Sequence, residues 1–87
     1  KKEMEEYYEN SIIEHECIIG NHTHIAPGAV LLGNVKVGNN CFIGSNVVIK
    51  ENTIIEDNVI IGAGSVVLKN VFKNCTIVGN PAKKISK

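Results

Sequence analysis

From Ile13 onward, every sixth residue of the chain is aliphatic: Ile13, Ile19, Ile25, Leu31, Val37, Ile43, Ile49, Ile55, Ile61 and Val67 follow one another without a failure. Four residues after each stands a small or β-branched partner: Cys17, Thr23, Ala29, Val35, Cys41, Val47, Thr53, Val59, Ser65 and Val71. A helix needs apolar spacing near 3.6, and an ordinary sheet strand needs longer alternating runs, so a strict six-residue unit fits neither. It predicts a solenoid of short parallel strands in which three units close one triangular turn. Both series then face the interior. The remaining residues of each unit turn corners, and Gly20, Gly28, Gly38, Gly44, Gly62 and Gly64 with Asn34, Asn40, Asn46, Asn52, Asn58 and Asn70 are the types that accept positive φ there.

The pattern resembles the hexapeptide-repeat proteins, which form left-handed parallel β-helices. The all-β class follows from the period, and the handedness is what the resemblance implies. About three coils are expected over residues 11–72, with an N-terminal extension or cap, helical or not, over 1–10 and a capping segment over 73–87. Met4, Tyr7 and Tyr8 lie at helical spacing within the first of these, and Pro81 cannot continue a strand ladder in the last.

With the inward positions assigned, alternation sends the middle residue of each strand outward. Sorted by coil, these form three faces: Ile18, Lys36, Ile54 and Phe72; His24, Phe42 and Ile60; and Val30, Val48 and Val66. Most are apolar, and contiguous apolar surface of this kind marks an association site. The expected partner is a second and third copy of the chain, joined through Val30, Val48, Val66, Phe42 and Ile60. The proteins it resembles are typically trimeric, with active sites between subunits.

Charge argues against other partners. Nine basic and nine acidic residues cancel, so no positive field draws nucleic acid or anionic lipid. The longest apolar runs fall far short of the roughly 20 residues that span a bilayer, and no signal peptide opens the chain. A soluble cytoplasmic protein is the expectation, and a start at Lys1 is read as a fragment or an engineered chain. Cys17, Cys41 and Cys75 form neither a disulfide framework nor a metal knuckle. Outward threonines form no ladder that would suit an ice-binding face.

All three histidines fall in "IIEHECIIGNHTHIAPG". The period separates them: His15 and His22 are corner residues, whereas His24 is mid-strand and points outward. Zinc ligation is disfavoured because no carboxylate or thiol completes a set with them, and no metal is expected. The stretch "SIIEHECIIGNHTHIAPGAVLLGNVKVG", with "IGAGSVVLKNV" and "VGNPAKKI", resembles the C-terminal β-helix of the sialic-acid O-acetyltransferase and bacillosamine N-acetyltransferase type of sugar acetyltransferase. That resemblance implies acetyl-CoA as donor and a sugar or nucleotide sugar as acceptor. It implies His15 as general base, Glu16 as the carboxylate that orients or tunes it, and His24 as a contact to the acyl donor. Gly33, one coil below His15, would allow close approach of the donor, and Lys83 would meet CoA phosphates. A trimeric scaffold that keeps these residues without turnover is the alternative.

Overall fold

A computed structural model of the protein describes residues 10–85. It contains twelve short strands: β1 (Ile12–Ile13), β2 (Ile18–Ile19), β3 (His24–Ile25), β4 (Val30–Leu31), β5 (Lys36–Val37), β6 (Phe42–Ile43), β7 (Val48–Ile49), β8 (Ile54–Ile55), β9 (Ile60–Ile61), β10 (Val66–Val67), β11 (Thr76–Gly79) and β12 (Ala82–Lys84). They stack as three parallel sheets, β1-β4-β7-β10, β2-β5-β8 and β3-β6-β9-β11, with β12 added antiparallel to the edge of β11. Register advances by 18 residues per rung, as in Ile13↔Leu31↔Ile49 and Ile25↔Ile43↔Ile61. Four rungs on the first sheet make a β-solenoid of four turns, consistent with a left-handed β-helix. The suggested N-terminal cap lies, but for Asn10, outside the described residues.

The interior is built from the two series read in the sequence. Leu31, Ile43, Ile49 and Ile61 are fully buried, as are Ala29, Val35, Val47, Val59 and Ser65. At the first rung Ile13, Cys17 and Ile19 are only partly covered and pack on this core from one side. Thr23 is buried too, and its hydroxyl donates to the carbonyl of Gly38 at 2.7 Å and accepts from the amide of Cys41 at 3.1 Å. Among the described residues, no buried side-chain nitrogen or oxygen lacks a partner.

The corners divide labour between two residue types. Positive φ falls on Asn10, Asn34, Asn40, Asn46, Asn52, Asn58 and Asn74, and on Glu16 and His22 in the equivalent slots of the first rung. Asn70, expected among them, is not. Of the six corner glycines only Gly28 and Gly64 need it. Gly44 serves close approach instead: a Cβ there would stand 2.7 Å from the amide nitrogen of Ala63 in the coil below.

The last turn departs from the expected period. Val71 bridges to Ile55, and Ile77 pairs with Ile61, a step of 16 rather than 18. Two residues are missing from the corner after β10, so Val71 takes an aliphatic slot opposite Ile55 rather than the small slot below Thr53. Phe72 is displaced with it. It leaves the face shared by Ile18, Lys36 and Ile54, sits at a turn and is 74% exposed. Cys75, expected to lie beyond the repeat, fills the position below Val59 and packs on the core. The coil therefore runs past residue 72 into β11. Pro81 follows a cis peptide bond from Asn80, and β12 returns along β11, pairing an edge that would otherwise be open.

Candidate active site

Three corners join the three sheets. Glu14-His15-Glu16, Leu32-Gly33-Asn34 and Lys50-Glu51-Asn52 stack at the corner between the first and second sheets. His15 is exposed there. Its backbone is held from below, because the amide of Asn34 donates to the His15 carbonyl at 3.0 Å. Asn34 is itself fixed, donating through Nδ2 to Oδ1 of Asn52 at 2.7 Å and accepting from Nζ of Lys36 at 3.0 Å. The imidazole lies across Gly33: a Cβ built on that glycine would be 3.2 Å from Cε1 and 3.4 Å from Nε2.

His15 lines an open depression of about 480 Å³ with Glu14, Leu32, Gly33, Asn34, Glu51 and Asn52. Of the two carboxylates flanking His15 in sequence, Glu14 shares this depression; Glu16 is in the left-handed slot of the turn, with φ 65°. Glu51 was not among the residues singled out from the sequence. Its signal was available, because it stands two coils below His15 in the same corner. The depression combines an accessible imidazole with carboxylates and backbone, so it can take a proton from a small polar nucleophile.

His24 is elsewhere. It begins β3 on the third sheet, the side of the triangle opposite the His15 corner, so one chain does not bring the two imidazoles together. Its ring stacks on Phe42, one rung below, with centroids 5.2 Å apart and planes 4° from parallel. Lys83 is exposed on β12, at the other edge of the same sheet. Four strand spacings separate β3 from β12, about 19 Å. His24 and Lys83 thus share a face, with exposed Phe42 and Ile60 between them. The adjoining corner, Ala26-Pro27-Gly28, Gly44-Ser45-Asn46 and Gly62-Ala63-Gly64, carries little side chain to obstruct a ligand lying along it.

The Cys41 thiol is unsuited to nucleophilic attack. Burial, above all, pushes the Cys41 thiol above its ordinary value, and Sγ lies 3.1 Å from the Glu56 carbonyl. Cys17 donates to the Leu32 carbonyl at 3.2 Å, and Cys75 to that of Phe72 at the same distance. Among the described residues, no group of three His, Cys, Asp or Glu side chains could hold a metal ion.

This architecture defines a class, the parallel β-solenoid built on a six-residue repeat. Residues 34–69 match the family described as bacterial transferase hexapeptide (six repeats). Among curated proteins, the serine acetyltransferase of Synechococcus elongatus is 37% identical over 67 residues, covering 77% of this chain and 20% of that protein. Among solved structures, Neisseria gonorrhoeae serine acetyltransferase in complex with serine aligns at TM-score 0.78 and 32% identity, over 88% of this chain and 38% of that one. The acetyltransferase domain of PglB from the same organism, in complex with acetyl coenzyme A, aligns at TM-score 0.73 and 22% identity, over 88% and 55%. The chain carries the hexapeptide repeat and resembles acetyltransferases built on it. It spans about a fifth of the curated relative's length.

Proposed function

We propose that the chain is the β-helical domain of an acetyl-CoA-dependent acetyltransferase in which His15 is the general base. The observation that carries this reading is the exposed imidazole seated in an open, glycine-floored corner of a fold whose structural neighbours include a complex with acetyl coenzyme A. In the proposed step the acceptor hydroxyl or amine attacks the thioester carbonyl while His15 takes its proton. The tetrahedral intermediate then collapses to the acetylated product, and the departing CoA thiolate recovers the proton from the imidazolium. Glu16, or Glu14 from within the depression, orients the ring.

The donor is proposed to lie along the third sheet, its acyl end at His24 and its phosphates at Lys83. Because His24 is on the side of the prism away from its own His15, a complete site needs two copies: His15 of one subunit and His24 of its neighbour. A homotrimer joined through Val30, Val48 and Val66 and through Phe42 and Ile60 supplies such junctions. A cytoplasmic location is part of this proposal, since the reaction consumes acetyl-CoA.

A sugar or nucleotide sugar is the acceptor suggested by the sequence resemblance. A second reading, an amino-acid hydroxyl such as that of serine, is favoured by the 37% identity to a serine acetyltransferase. Thiol release from acetyl-CoA with L-serine and with amino sugars as alternative acceptors tests both. The parent should turn over with one class, and His15→Ala should lose about 10²–10⁴-fold, the span a general base supplies. Equal rates for parent and variant would refute the proposal.

A further inference from the structure

We infer that Gly33 is a positioning residue for His15, a flat seat that fixes where the imidazole lies; this rests on the reading of His15 as the base. Nothing in the backbone asks for glycine at this position. Gly33 is absent from the residues of positive φ, and the equivalent position one coil below holds Glu51, so side chains are otherwise tolerated at this point of the corner.

The requirement comes from the ring above. A Cβ on Gly33 would meet Cε1, Nε2 and Nδ1 of His15 at 3.2, 3.4 and 3.7 Å. Three ring atoms within half an ångström of one another in distance mean that the imidazole lies over the glycine rather than touching it at one tip. The first of these separations is tighter than ordinary van der Waals contact, so even a methyl group moves the ring by a few tenths of an ångström. The backbone beneath is meanwhile pinned: Asn34 donates to the His15 carbonyl and is itself bonded to Asn52 and Lys36. The main chain on both sides of the contact is therefore fixed, and the ring must give way. A base displaced by a fraction of an ångström loses alignment with the proton it takes.

The test compares Gly33→Ala and Gly33→Val with the parent by three readouts: acetyl-CoA affinity by titration, kcat with the better acceptor, and nuclear magnetic resonance of the His15 ring. In the parent, the His15 Hε1 proton should show a nuclear Overhauser contact to the Gly33 α-protons. The alanine variant should shift the His15 ring resonances and lose about tenfold in kcat, a larger change than in its acetyl-CoA Kd, with valine losing more. Unchanged His15 resonances, or a weakened acetyl-CoA Kd with kcat intact, would overturn the inference, since Gly33 would then meet the donor rather than the imidazole. Equal kcat in parent and variants despite a displaced ring would overturn it as well. If the parent shows no turnover with either acceptor class while alanine still moves the ring, the seat stands and the proposed function fails.

Discussion

Glu16 holds a left-handed backbone angle in a slot that asparagine occupies on the coils below, at Asn34 and Asn52. For a residue with a Cβ and no short side chain to bond back locally, that conformation costs about 1–2 kcal/mol. Glu16→Asn should therefore raise unfolding free energy by about 0.5–1 kcal/mol, read from denaturant midpoints at constant slope. If Glu16 also orients His15, the same change should lower kcat. Stability and activity moving in opposite directions would mark a strained position kept for its chemistry. A rise in stability with unchanged turnover would assign the orienting role to Glu14, the carboxylate that shares the depression with His15.

At the scale of elements, the six-residue period was legible from Ile13 to Val67 because each inward position must fill one fixed slot of a triangular core. The loss of two residues after β10 was not. Val71 is aliphatic whichever slot it fills, so the sequence pattern continues across a register change that only strand pairing reveals. Two substitutions test the packing of this last turn. Val71 is buried opposite Ile55, and Val71→Ala should cost about 1–2.5 kcal/mol for the lost methyl groups and the cavity. Phe72 is 74% exposed at a turn, and Phe72→Ala should stay within about 0.5 kcal/mol of the parent. A large loss at Phe72 would contradict its place at an exposed turn. For the site, proximity in sequence was the misleading signal. The segment from His15 to His24 rounds half of one coil and ends on the opposite side of the prism, while Glu51, 36 residues from His15, shares its depression.

For the whole molecule, one chain leaves Ile12, Ile18, Phe42, Ile54 and Ile60 exposed on its three sides, and apolar surface of this kind marks association sites. Side-by-side association covers such faces, and it is also the arrangement that would bring a His15 corner against a neighbour's His24 face. The proposed chemistry makes one claim at this scale, that the working site is divided between copies. The direct measurement mixes His15→Ala chains with His24→Ala chains, each impaired alone, and allows them to reassemble before acetyl transfer is assayed. If each site draws one imidazole from each of two neighbours, random mixing rebuilds about a quarter of the sites, and activity should recover to about that fraction of the parent's. A mixture no more active than its separate components would contradict the account.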